Sequence, residues 1–314
     1  LTAAVATLAV AVLLVPADTT AAPGSSATIT DAVADGSGEQ TVIVRFDGPQ
    51  QLPAGAADAK PADSMKMKAA SSQNRLKRFA AGNPHVEIKD SLWIANAMLV
   101  RVDTAQLSLQ RLAGIENVRR IHRNHKVEPV ATKLRSGIHT TGIQQVSTAN
   151  SDYTWGLKEI QATKTWQQFD NRGGNVSVAV LDTGVDPDHP DIDVARWRDF
   201  DDNPEPDPQD YGYHGTHVSG TVVGGDESGT HICVAPNATL YVGAVLTQGS
   251  ENFGTFSQIA NGMQWAVAND ADILSMSLGG SETDSDFIKP IQNAREAGTI
   301  PVVAIGNSGV GTHD

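Results

Sequence analysis

The stretch Val178-Ala-Val-Leu-Asp182-Thr-Gly184-Val-Asp186 is followed, 32 residues after Asp182, by His214-Gly-Thr-His-Val-Ser-Gly-Thr221. The first segment reads as a buried parallel strand of small and β-branched residues that stops at a carboxylate, with Gly184 letting the chain turn away. The second puts an imidazole at the start of a segment rich in small residues, where a helix can pack close to that strand end. A buried carboxylate beside a histidine fixes the ring's tautomer and steadies the imidazolium formed when the ring takes a serine proton. Asp182 and His214 are the candidates for those roles, two thirds of an Asp-His-Ser triad.

Two more segments follow in order: Ile273-Leu-Ser-Met-Ser277-Leu278-Gly279-Gly280, and Pro301-Val-Val-Ala304-Ile-Gly306-Asn307-Ser-Gly309, an apolar strand running into a glycine turn. With these four the chain resembles the subtilase (subtilisin-like) serine proteases, which use the order Asp, His, Ser. The resemblance implies that Asn307 presents its side-chain amide to a developing oxyanion, a preorganised donor of the kind that carries much of such catalysis. It also implies that Ser277, Leu278 and Gly279 form an edge that pairs with the substrate backbone, with Ala304 and Gly306 among the substrate-binding residues. Asp191 matches a position that in many relatives ligates a structural calcium ion; the chemistry itself calls for no cofactor. The same resemblance expects the nucleophilic serine about 150 to 160 residues beyond His214. No Gly-Thr-Ser-Met-Ala-like segment occurs in the 314 residues, and the first residue is Leu. The expectation is therefore a fragment of a longer precursor, inactive alone by this mechanism.

Charge divides the chain. Residues 1–150 hold 16 Lys+Arg against 12 Asp+Glu, net +4, and residues 151–314 hold 7 against 24, net −17, together the −13 of the whole. Two domains are the default for this length, and opposite net charges suit one lying on the other. An acidic half also suits a saline habitat, or acids gathered at cation sites. No basic surface for nucleic acid is indicated. The single cysteine, Cys233, excludes an intrachain disulfide; it reads as a small buried filler rather than a catalytic thiol.

Along the chain, residues 1–22 fit a signal peptide whose charged start is missing, with an apolar run over 1–15 too short to cross a bilayer. That predicts secretion without a stable membrane anchor. Residues 23–38 read as a linker. Residues 39–130 carry the order strand (40–46), helix (62–82), strand (86–89), strand (97–102), helix (104–113, capped by Thr104) and strand (118–127), the split βαβ pattern. This resembles the inhibitory prodomains of secreted subtilases, a small ferredoxin-like α+β unit; an unrelated βαβ binding domain is the alternative. Residues 131–152 read as an exposed activation linker. Residues 153–314 alternate strands and helices, the α/β pattern of a parallel sheet with helices on both faces and active groups at the carboxyl ends of its strands. Taken together the resemblance implies a monomeric, secreted serine endopeptidase precursor that acts on protein or peptide substrates, with its own prodomain as inhibitor.

Two other chemistries and one non-enzymatic role stand beside this. Asp182-Thr-Gly is also an aspartic-protease signature, but that needs two carboxylates sharing a proton, hence a dimer. His214 and His217, with Asp186, Asp188, His189, Asp191 and Asp193 nearby, suggest a metallohydrolase, yet no His-Glu-x-x-His-like pattern occurs. A catalytically dead homologue acting as a binding protein is the remaining alternative.

Overall fold

The computed structural model describes residues 27–30, 33, 38–49, 51–130, 152–227, 229–250, 252–280 and 285–306. The expected signal peptide, ten of the sixteen residues of the 23–38 linker, all of the 131–152 linker but Asp152, and Asn307 lie outside them. No helix among the described residues is long and apolar enough to cross a membrane.

The N-terminal unit is a five-stranded sheet of order β1-β5-β2-β4-β3, with β1 Thr28–Ile29, β2 Glu39–Phe46, β3 Val86–Leu92, β4 Ala97–Asp103 and β5 Val118–Arg123. Its four long strands are antiparallel; only β1, running beside β5, is parallel. The period-2 alternation of a strand explains the layering. Val42, Val44 and Phe46 of β2 share a core with Leu76 of helix α1 (Pro61–Ala81) and with Leu109 and Leu112 of α2 (Leu109–Ala113). Ile43, one residue out of phase, faces the other way into a core shared with the C-terminal unit.

Two expected boundaries change. The second helix begins at Leu109 behind Ser108 and not at Thr104, because the Thr104 hydroxyl and amide are both used on the carbonyl of Gly38, at 2.7 and 2.8 Å. The closing strand breaks at Asn124-His125 and resumes as β6, Lys126–Pro129. At the break Asn124 turns its amide to Ser257, accepting from the Ser257 N–H at 3.0 Å and donating to its hydroxyl at 2.9 Å.

The C-terminal unit is a parallel sheet of order β13-β11-β7-β9-β8, formed by β7 Ser177–Asp182, β8 Arg196–Asp199, β9 Thr239–Ala244, β11 Ile273–Met276 and β13 Ile300–Val303. Central β7 is buried along its whole length, which is why it reads as a continuous apolar run. Its residues still sort by face. Val178 and Val180 pack with Val223 of α5 (His214–Val223), whereas Ala179 and Leu181 pack with Ile259 and Met263 of α6 (Phe256–Ala268) and Ala294 of α7 (Ile288–Glu296). Helices thus cover both faces. Two short helices, α3 (Trp155–Glu159) and α4 (Ala162–Phe169), precede β7, and Trp166 of α4 donates to the carbonyl of Val234 at 3.0 Å. At the sheet edge Ile300, Val302, Val303 and Ile305 are largely exposed.

The units are joined by apolar packing more than by opposite charge. Leu92 and Ile94 are fully buried in the same core as Ile259 and Met263, and buried Asn293 donates to the carbonyl of Ile94 at 2.7 Å. A third sheet crosses the junction: β6 lies antiparallel between β10 (Gly254–Thr255) and β12 (Leu278–Gly279).

Candidate active site

β7 delivers Asp182 to its carboxyl end, where the chain must turn within two residues. Gly184 makes that turn at φ +114°, and a Cβ there would stand 1.9 Å from the carbonyl oxygen of Gln209. α5 comes in equally close, for a Cβ on Gly215 would stand 2.1 Å from the carbonyl oxygen of Gly184. Two residues without side chains therefore set the approach of helix to strand. That approach brings His214, the first residue of α5, onto Asp182: Nδ1 lies 2.7 Å from Oδ1.

Asp182 is fully buried, and its Oδ1 also accepts the amide of Thr183 at 2.7 Å. Burial pushes its carboxyl upward, while the hydrogen bond from His214 and the Thr183 amide pull it back. His214 keeps 22% of its side chain exposed, so one side of the ring is open to a reactant. The bond to Asp182 holds its pKa above the ordinary value against burial, and the charges of Asp182 and Asp210 add to this. With Nδ1 facing the carboxylate, Nε2 is the nitrogen available for proton transfer. The backbone of Val130 lies within hydrogen-bonding reach of the same ring.

Sequence reasoning missed Asp210. Its Oδ1 accepts the Thr183 hydroxyl at 2.6 Å and the amides of Gly212 and Tyr213 at 3.0 and 2.9 Å; its Oδ2 accepts the Thr216 amide at 2.8 Å and the Thr216 hydroxyl. Burial alone would raise this carboxyl, but the Thr183 and Thr216 hydroxyls and the surrounding amides outweigh it and hold the pKa below the ordinary value. Thr183 passes the constraint on by accepting the Gly215 amide at 2.8 Å. Tyr213, at φ +60°, is pinned in the left-handed region immediately before His214. Asp210 thus anchors the start of the helix that carries the histidine. The signal that can reveal it is an Asp four residues before His214, where such side chains collect orphan amides.

The expected substrate edge is occupied. Val130 donates its amide to the carbonyl of Ser277 at 2.9 Å, Pro129 stands opposite Leu278, and Glu128 stands opposite Gly279. A cavity of about 600 Å³ beside this strand is lined in part by Met276, Leu278, Gly279, Val303 and Ala304. Gly306 closes the described part of the turn at φ +95°. Asp191 is buried in the loop after β7, its amide on His189 Nδ1 at 3.2 Å and its carbonyl accepting from Gly225 at 2.7 Å. It offers one carboxylate, so a calcium ion there would draw its other oxygens from backbone or amide groups.

Among the described residues one cluster of three His, Cys, Asp or Glu side chains is close enough to share a metal ion, His122, His125 and Asp286. It excludes the His214 and His217 pair proposed for a metallohydrolase, and the guanidinium of Arg120, 2.8 Å from Asp286 Oδ1, makes it a poor cation site. The pairing of Asp182 with an imidazole likewise leaves the two-carboxylate reading without support. Cys233 is 1% exposed, and burial pushes its thiol up to about 11, as suits a filler.

The geometry has counterparts in known proteins. Residues 173–314 match the model of the Subtilase family. The chain is 41% identical over 162 residues to the major intracellular serine protease of Bacillus subtilis (strain 168), covering 50% of each chain. It is 37% identical over 155 residues to subtilisin E of the same organism, covering 49% of this chain and 40% of that one. The chain thus spans about half the length of the curated relatives it matches. Among solved structures, fervidolysin from Fervidobacterium pennivorans superposes with a TM-score of 0.61 at 21% identity, over 92% of this chain and 43% of that one, a likeness of fold. With the Asp182–His214 pair at the end of a parallel strand, residues 173–314 are similar to the subtilase family of serine proteases in both sequence and site geometry.

Proposed function

We propose that this chain is part of a secreted serine endopeptidase precursor, monomeric, whose residues 39–130 act as an inhibitory prodomain. The observation that carries the reading is the 2.7 Å contact between buried Asp182 and half-open His214, with the extended segment 126–130 laid across the carboxyl end of the same sheet. His214 Nε2 takes the proton of a serine hydroxyl as that oxygen attacks a peptide carbonyl, then returns it to the leaving amine. Asp182 holds Nδ1 protonated and offsets the imidazolium charge. Asn307 donates its amide to the oxyanion. Among the described residues no serine hydroxyl bonds the His214 ring, and Asn307 lies outside them.

Register supports the prodomain role. Val130, in contact with His214 and bonded to Ser277, stands where a substrate residue on the amino side of the scissile bond would stand, so the tail blocks the cleft as a peptide would. Calcium at Asp191 is a structural proposal, checked by whether millimolar Ca²⁺ raises the melting temperature of wild type and not of Asp191→Ala. The proteolytic reading is tested on a chain extended to carry the serine, by peptide hydrolysis together with labelling by a fluorophosphonate probe. Hydrolysis and labelling should both vanish in His214→Ala. Hydrolysis that persists in that variant sinks the reading, and a protein that neither labels nor cleaves but binds the isolated 39–130 segment would be the binding homologue instead.

A further inference from the structure

We propose that Phe253 is a specificity-determining residue of the cleft: its ring selects a Lys or Arg side chain in the bound peptide, four residues before the one whose backbone meets His214. This rests on the proteolytic reading above. The observation is Lys126, whose Nζ sits 3.7 Å from the centroid of the Phe253 ring. An ammonium over an aromatic face is attracted by the ring quadrupole.

The register makes the contact transferable. Lys126 pairs with Thr255 and Val127 with Gly254 on one side, while Glu128 and Pro129 pair with Gly279 and Leu278 on the other. These are backbone ladders, which any extended peptide can take, so selection falls to side chains at alternate positions. Val127 is 2% exposed and fills the apolar floor, whereas Lys126 lies on the exposed side, and there the Phe253 ring is what meets it.

The ring is held in place. Gln248 and Phe253 exchange two backbone hydrogen bonds of 2.9 Å each across their turn. Gly249 inside that turn has φ +67°, and a Cβ on it would stand 3.0 Å from a ring carbon, so the ring uses the space glycine leaves. The net charge of −17 on residues 151–314 favours a cationic peptide over an anionic one in general. The ligand class is thus a peptide with a basic residue one place before a buried apolar one.

A double-mutant cycle on the full chain tests the contact without requiring activity. Hydrogen exchange at the Val130 amide is measured in wild type, Lys126→Ala, Phe253→Ala, the double variant and Phe253→Leu. An exposed cation–π contact predicts roughly two- to fivefold faster exchange in each single variant. The double variant should be no faster than either, and Phe253→Leu, which keeps apolar bulk, should behave as Phe253→Ala. Additive effects, or a leucine variant equal to wild type, overturn the proposal. On active enzyme, the peptide Lys-Val-Glu-Pro-Val-Ala should show higher kcat/KM than versions beginning with Ala or Glu, and Phe253→Ala should level the three. Equal values in wild type also overturn it. Cleavage of none of the peptides counts against the proteolytic reading instead, and the exchange cycle still decides the role of Phe253.

Discussion

Two histidines, one half-buried and one buried, each lie beside an aspartate, and they end in opposite states. His214 Nδ1 is 2.7 Å from Asp182 Oδ1, and its pKa is raised. His122 Nδ1 is 3.4 Å from Asp286 Oδ2, yet burial, with Arg45 and Arg120 beside it, lowers its pKa to about 3. The difference lies in what else the aspartate serves. Among the described residues the Asp182 carboxylate has only the Thr183 amide besides His214 as a donor. Asp286 takes the Arg120 guanidinium at 2.8 Å, while Arg45 donates twice to its carbonyl and His122 Nδ1 turns to the Arg123 carbonyl at 2.9 Å. His122 is kept neutral and its Nε2 is buried without a hydrogen-bond partner among the described residues. A neighbouring carboxylate therefore decides little; the whole set of charges around the ring decides its proton.

The largest effect expected from this contrast is at Asp182. Asp182→Asn keeps the shape but removes the charge that makes His214 a base, so turnover of a peptide substrate should fall by ~10⁴ with little change in KM. A variant within tenfold of its parent would deny Asp182 that role.

At His122 the effect is on stability and has a definite sign. The ring binds its proton less readily folded than unfolded, so between the ordinary value near 6.5 and about 3 the unfolded chain holds more protons. Stability is full above pH 6.5 and is lost as pH falls, by about 3 kcal/mol at pH 4 from this group alone. His214, raised, works in the opposite sense: its contribution is complete below the ordinary value and fades as pH rises through the raised one. Denaturant unfolding from pH 8 to 4 should show a steep acid loss in wild type and a shallower one in His122→Asn, which retains a donor for the Arg123 carbonyl. Parallel curves would mean that His122 has the same pKa in the folded and unfolded chain.

The smallest effect sharpens the His214 side. Asp210→Asn removes a charge that raises the His214 pKa while leaving one acceptor oxygen, so the imidazole resonance followed by NMR should titrate at lower pH than in wild type. Asp210→Ala strands the amides of Gly212, Tyr213 and Thr216 and should cost roughly 1–3 kcal/mol of stability. An unmoved titration in Asp210→Asn would reduce Asp210 to an anchor.

What could be read from sequence were features whose cause is local. The apolar run of β7 ending at Asp182, and the small residues after His214, state their own periodicity and packing, and the N-terminal alternation announced β2, α1, β3 and β4. What could not be read depended on distant partners. Nothing near Asn124 says that its amide will meet Ser257, 133 residues away, and so break the closing strand. Thr104 has the chemistry of a helix cap, but Gly38 reaches it first. Asp210 belongs to a stretch rich in acids, and its difference from them appears only when Thr183 and Thr216 close around it. His122 looks like one more strand residue until Asp286 is folded against it.

The segment 126–130 has a neighbour on each flank, β10 on one and β12 on the other. A ribbon with a free border can be peeled off bond by bond. One held on opposite borders in its two halves, 126–127 on one and 128–129 on the other, is not freed by peeling from either flank alone. Departure of this tail then requires both halves to let go, and a cut in the chain beyond Val130 would create a loose end without by itself loosening what is held.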